Sequence, residues 1–269
     1  MHSLLRYLRL FAAFGRFSLL GEMAFRGNYL LKVVVELLWL GLLILFYRTI
    51  FTRTAVVADW KESEYLFFLG CYYALEGLME TLFLGNCTEF AELVRKGDLD
   101  IILLQPIDEQ FLVSFRNVEW STVPNIVMGA GLMVYALYLE GWAFDPVQVL
   151  TLLVTFPCAL AMAYSFMLIL SSTAVWMIRN QSLYELWWLF TSLMRYPKEI
   201  FRGSLGVPVG WFFMFIIPVL LVTNVPARTM VKVFEPWLAA YMVSATVALV
   251  ALSRWFFRRA LRSYRSASS

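Results

Sequence analysis

Four ionisable residues fall inside stretches otherwise apolar enough for a bilayer, and any chemistry of this chain would begin with them. Glu76 and Glu80 are four apart and share a helical face; Arg116 and Glu119 are three apart and share another. Each costs a few kcal/mol at bilayer depth unless it is paired or hydrated. Three carboxylates with one guanidinium leave a net negative cluster, which would attract a cationic or amphipathic ligand. The competing reading is a structural ion-pair network that fixes two spans and the loop between them. Glu36, with Lys32 four residues earlier, reads as a pair on a helix surface. Covalent and metal chemistry have little to work with. The only histidine is His2, and Cys71, Cys87 and Cys158 lack the spacing of metal ligands or of a disulfide framework. No G-x-x-x-x-G-K-[S/T] run exists to cradle phosphates, so an ATP-driven process would need its engine on another polypeptide. No motif of an intramembrane enzyme is recognisable.

The elements that must position these residues are membrane helices. The chain has 269 residues, 61% of them hydrophobic and only 15% charged. Soluble domains carry about 25% charged residues, so this chain cannot cover itself with a polar surface. Net charge is +3, with basic residues at span ends and not in a nucleic-acid-like patch. A first span is expected over about 31–50, a second over about 63–84, a third over about 108–139, a fourth over 147–178 and a last over about 237–255. Residues 1–28 place Arg6, Arg9 and Arg16 on one helical face, with Leu4, Leu5, Leu8, Phe11, Ala12 and Leu19 on much of the rest. Arg16 breaks the apolar run and no small-x-small site follows, so an amphipathic helix in the interface is preferred to a signal peptide. One side of the membrane then carries the N-terminal arginines, Arg95, Lys96, Arg179 and the basic tail. The other carries Arg53, Lys61 and the acidic turn from Glu140 to Asp145. By the positive-inside rule both termini are cytoplasmic.

Between the second and third spans lies the longest charged interruption, from Glu92 to Arg116. Within 87–107, Arg95, Lys96, Asp98 and Asp100 crowd around Gly97, an apolar quartet from Ile101 to Leu104 follows, and Pro106 closes it. Four apolar residues cannot span a bilayer, which takes about 20. They fit a short helix lying across the membrane face, with Gly97 favouring a tight turn before it. For Asp98 and Asp100 the alternatives are contact with a partner, or capping and solvation.

The pattern K-G-D-L-D-x-x-L-L-x-P resembles the cytoplasmic loop of ABC-2-type exporter permeases, in the daunorubicin- and viologen-exporter-like branch. R-Y-P-K-E-I-F (195–201) and I-P-V-L-L-V-T-N-V-P-A-R (217–228) match further on, in order and in a six-span frame. The resemblance implies an all-α integral membrane fold with six transmembrane helices, and a bacterial inner-membrane permease without its own ATPase. Gly97, Asp98, Leu99, Asp100, Leu103, Leu104 and Pro106 would form the coupling helix that docks in a separate ATPase subunit. Two copies of that ATPase would carry ATP and Mg, and a second permease, identical or a sister chain, would complete the dimer. The substrate it implies is drug-like, lipid-like or cationic. Trp187, Trp188 and Phe190 would face the dimer interface and the substrate path.

The fifth crossing has two candidates. Hydropathy favours 208–222, P-V-G-W-F-F-M-F-I-I-P-V-L-L-V. The resemblance favours a span starting at Arg179-Asn180 and ending at Pro197, followed by a re-entrant pair over 198–234 on the outer side. Gly203, Gly206, Pro208, Gly210 and Pro218 are the breakers such a pair needs. The re-entrant version is preferred, although it puts Arg195, Lys198, Arg202, Arg228 and Lys232 outside. One domain is expected, an exporter permease. A stand-alone secondary transporter or lipid-modifying enzyme is the alternative; a secondary transporter would often show inverted repeats meeting at broken helices, and only one broken region is present.

Overall fold

A computed structural model describes residues 2–177, 181–232 and 235–264. The expected turn at Arg179-Asn180 and the end of the basic tail at Arg265 lie outside the described residues. Helix α1 covers His2–Ala24 and α2 Arg26–Phe51. The next rod joins α3 (Glu62–Met79), a widened π turn (Glu80–Leu84) and α4 (Gly85–Lys96). Two short helices follow, α5 (Leu99–Leu103) and α6 (Glu109–Phe115). Then come α7 (Val123–Glu140), α8 (Pro146–Ser172), α9 (Gln181–Met194), α10 (Gly203–Trp211), α11 (Val219–Val231) and α12 (Pro236–Ser263). Among the described residues five helical stretches are long and apolar enough to cross a membrane, and there are no named strands. They are α2, the rod Glu62–Lys96, Trp120–Glu140, Pro146–Val175 and α12.

The tightest joint is α3 against α7, and glycines make it. An added Cβ at Gly129 would stand 2.4 Å from the Ala74 amide nitrogen, and one at Gly70 would stand 2.8 Å from the Gly129 carbonyl oxygen. Small residues let two backbones approach this closely, which is how membrane helices gain packing without a hydrophobic drive between them. Around this joint lies the larger apolar core, drawn mainly from α3, α8, α9 and α11. A second, smaller core lies at the other end of the rod. There Phe90 and Leu93 of α4 meet Leu99 and Ile102 of α5, Leu112 and Val113 of α6, Leu168 of α8 and Phe257 of α12.

Two boundaries differ from the sequence reading. The second span does not give way to a loop at 87; it continues as helix to Lys96. Its charges mislead because they lie on one side. Cys87, Phe90 and Leu93 are buried while Glu92, Arg95 and Lys96 are exposed, so the segment is an amphipathic helix and not a loop. Gly97 ends it, with φ 80° in the left-handed region that favours glycine. The third span is not one helix from 108 either. It breaks after α6, and a short 3-10 turn at Trp120–Thr122 leads into α7.

The stretch with two candidates for the fifth crossing contains a sharply bent helix pair. Gly203–Ile216 and Val219–Val231 bend by 87° at the break. Both ends of the bent pair return to the α2–α3 connection: Arg202 pairs with Asp59, and Lys232 donates to the Asp59 carbonyl at 2.6 Å and pairs with Glu64. The intervening hairpin is closed by Arg228, which pairs with Glu199 and Glu235, while the Trp60 indole donates to Glu199 at 2.9 Å. Three basic residues that strain the charge rule, Arg202, Arg228 and Lys232, are thus each matched by a local carboxylate.

Candidate functional site

The segment 97–106 is built to present one apolar edge. α5 starts after Gly97, with Asp98 exposed at its N-cap position and making no side-chain capping bond. Leu99 is fully buried and Ile102 nearly so, both in the second core, and Leu103 is half-buried against it. Leu99 therefore shapes the segment from within and cannot touch a partner. Ile101 and Leu104 point the other way, 63% and 86% exposed. Asp100 is engaged towards the C-terminal end, where burial and the Asp100 carboxylate push the Tyr264 phenol up. Pro106 is exposed, and its carbonyl accepts from Arg6 Nη2 of α1 at 3.1 Å.

Three elements hold this edge in place. Asp108 caps α6 by accepting from the Phe111 amide at 3.1 Å, and the Arg254 guanidinium beside it holds its carboxyl below the usual carboxylate range. A depressed carboxyl contributes stability that is fully present above its unfolded pKa, about 3.9, and lost as pH falls through the lower folded value. Thermal melts from about pH 6 to pH 3 should show this contribution fading only at the acid end, and Asp108→Asn should flatten that part of the curve. On a second side, α1 lays Tyr7 and Phe14 on Phe111 (ring centroids 4.9 and 6.4 Å apart). On the third, Arg116 pairs with Glu89 of α4 at 2.6 Å.

The break after α6 leaves four successive backbone N–H groups without helical partners, and each finds one elsewhere. Asn117 donates to Asn86 Oδ1 (3.0 Å), Val118 to Ser18 Oγ (3.1 Å), Glu119 to the Thr81 carbonyl in the π turn (3.0 Å), and Trp120 to Glu22 Oε1 (2.7 Å). Asn86 also donates back to the Asn117 carbonyl at 2.7 Å. Unpaired backbone groups away from water are costly, so the break is a fixed feature supported by α1 and the rod. Sequence reasoning missed Ser18, Glu22 and Asn86. The available signals were Pro124, which suits the first turn of a helix, and an asparagine inside an apolar run.

The ion cluster expected from sequence does not assemble as four. Arg116 and Glu119 share no helical face, because the break lies between them. Lys32 bonds Glu119 at 2.7 Å, so it is not the surface partner of Glu36. Glu76 accepts from the Tyr72 hydroxyl at 2.6 Å, and Tyr72 in turn accepts from Arg195 at 3.1 Å. What does come together is a cleft of about 450 Å³ between α2 and the π turn, lined by Lys32, Glu36, Glu80 and Glu119 with Thr88, Ser121 and Thr122. Glu36, first read as a surface pair, is a member of it.

The aromatic candidates also divide. Trp187 and Phe190 are each 4% exposed and stack on one another with ring centroids 5.3 Å apart, and Phe166 continues the stack at 4.5 Å. Both belong to the core of this chain. Trp188 alone of the three is exposed. Among the described residues no group of His, Cys, Asp and Glu could hold a metal ion.

Compared with known proteins, residues 37–268 match the family model described as ABC-2 family transporter protein. No curated protein and no solved structure matches the chain.

Proposed function

The chain belongs to the ABC-2 transporter family, and on that premise we propose that it is the permease subunit of an ATP-driven exporter. Family membership and the apolar helices make it a multi-pass membrane transport component. The proposal adds direction, topology and partners. Two copies of a separate cytoplasmic ATPase carry ATP and Mg, a second permease completes the dimer, and both termini lie in the cytoplasm of a bacterial inner membrane. The observation that carries this is the exposed edge of Ile101 and Leu104. Two large apolar side chains stand out from a segment whose other side is anchored in its own core, and the exposed charged residues Lys96 and Asp98 come just before it in the chain. An exposed apolar edge with a charged rim suits protein docking, and here it sits on the loop that the basic residues place inside.

The substrate we propose is an amphipathic cation. The cleft between α2 and the π turn offers three carboxylates against one lysine, and the lysine is already bonded to Glu119. Its polar floor and the apolar outer face of α2 suit a molecule with a charged head and a lipid-soluble body.

Topology follows from the same reading. The 198–234 hairpin is re-entrant on the outer side, and α9 supplies the fifth crossing. Cysteines placed at Lys198 and Lys232 should both react with an impermeant maleimide added to intact cells, and one at Asp98 should react only after permeabilisation. Reaction of Asp98→Cys from outside overturns the orientation, and reaction of Lys198→Cys from the cytoplasm alone overturns the hairpin. Purification from native membranes tests the function itself, by asking whether a separate ATP-hydrolysing polypeptide is recovered with the chain. Recovery of the chain alone, active in transport, would refute an ABC mechanism.

A further inference from the structure

A chain of polar contacts leaves the docking segment and enters two spans that do not adjoin it in sequence. Arg254 of α12 donates to both oxygens of Asp108, at 2.6 and 3.2 Å, and to Gln110 Oε1 at 2.6 Å. Gln110 Nε2 then donates to the hydroxyl of Tyr164 on α8 at 2.9 Å, and that hydroxyl lies 2.8 Å from Ser114 Oγ. The Tyr164 ring stacks on Phe115, with centroids 5.5 Å apart. Asp108, Gln110, Ser114 and Phe115 all belong to α6 or its cap, so α6 is gripped along its length by one residue from each of two spans.

The covalent route out of α6 is different. It runs through the break before Trp120, whose four N–H groups bond to α1, to Asn86 and to the π turn and not to a preceding helical turn. A push along α6 therefore has no hydrogen-bonded helix to carry it into α7. A two-pronged guanidinium–carboxylate pair, by contrast, fixes direction as well as distance. We infer that Arg254 and Tyr164 are the residues that pass motion of the docking segment into α12 and α8, while the break spares α7. This rests on the reading of 97–106 as the ATPase contact. Both are positioning residues, since neither touches substrate or nucleotide.

The test measures relative movement of α12 and α7. Spin labels are placed at Val134→Cys and Val247→Cys, both exposed on their helices, in a Cys158→Ala background. The chain is purified in lipid nanodiscs with its ATPase, and the label separation is compared without nucleotide and after trapping with ATP and vanadate. The expected result is a shift in the unsubstituted chain that falls by about half or more in Arg254→Gln and in Tyr164→Phe. Arg254→Lys, which keeps the charge but not the fork, should restore part of it. ATPase recovery should stay within about twofold of the parent, because the docking edge is untouched. A purely structural role would lower thermal stability and leave the nucleotide-dependent shift intact. A full-sized shift in both Arg254→Gln and Tyr164→Phe overturns the inference, as does a parent chain that shows no shift while hydrolysing ATP. Should Arg254→Gln fail to fold, Arg254→Lys and Tyr164→Phe carry the same comparison. A parent chain that recruits no ATPase overturns the underlying reading, and the inference falls with it.

Discussion

Leu104→Asp should abolish recovery of the ATPase subunit while leaving the membrane helices inserted. Leu104 is 86% exposed at the tip of α5, outside every candidate span, so its own chain loses almost no packing when it changes. In the complex a carboxylate would be carried into an apolar contact with no partner. Leaving a charge buried and unpaired costs about 3 kcal/mol or more, a weakening of roughly a hundredfold. Ile101→Asp should act in the same way. Gly97→Val acts through shape: a β-branched residue at φ 80° is strained by about 1–2 kcal/mol, and the turn that aims α5 would open. Leu103→Asp is a poor probe by comparison. Leu103 packs against the second core, and a charge there would disturb the bundle before it reached a partner. Val56→Asp, in the exposed connection after α2, is the matched control at the opposite end of the rod. The measurement is the ratio of ATPase to permease after affinity purification. Unchanged ratios for Leu104→Asp and Gly97→Val together would end the docking interpretation.

Gly129→Ala and Gly131→Ala should move stability in opposite directions. Replacing an exposed helical glycine by alanine stabilises a helix by about 0.5–1 kcal/mol, because less backbone freedom is lost on folding. Gly131 meets that condition, with nothing within 4 Å of an added Cβ. Two residues earlier on the same helix the Cβ would lie 2.4 Å from the Ala74 nitrogen and 2.9 Å from its Cα. Those atoms are backbone of a buried helix and have no rotamer to change. α3 and α7 must then separate, which undoes the contact through Gly70 as well. Overpacking of this kind costs about 3 kcal/mol, and for a chain of this size that lowers Tm by about 10 °C. Thermal unfolding in nanodiscs, followed by fluorescence of the buried aromatics, reads both substitutions. A Gly129→Ala variant as stable as the parent would show that the α3–α7 joint is looser than its geometry indicates.

How much of this was legible in the residues differs from place to place, for physical reasons. Composition alone settled the solvent: a chain with 61% hydrophobic and 15% charged residues has no polar surface to wear in water. Hydropathy found the helices long enough to cross. The spacing around Gly97 found the turn that ends α4, because a glycine between charged residues marks a conformation few other residues adopt. What the sequence could not supply was everything that depends on which side of a helix meets which neighbour. Periodicity around Glu92 cannot tell an amphipathic helix packed on protein from a solvated loop, and so the rod was cut short. Nor could a resemblance carried by motifs show that Leu99 is buried and Leu103 half-buried, or that Trp187 and Phe190 stack within the core of their own chain. Spacing grouped Glu76, Glu80, Arg116 and Glu119, since residues three or four apart are neighbours on an unbroken helix. The break at 117–120 removed that premise. It exists because Ser18, Glu22, Asn86 and Thr81, between about 30 and 100 residues away along the chain, supply the hydrogen bonds that a helix would have made for itself. A count of charges likewise cannot see the ion pairs of Arg202, Arg228 and Lys232, because their partners, Asp59, Glu199 and Glu64, come from segments that only the folded chain brings alongside.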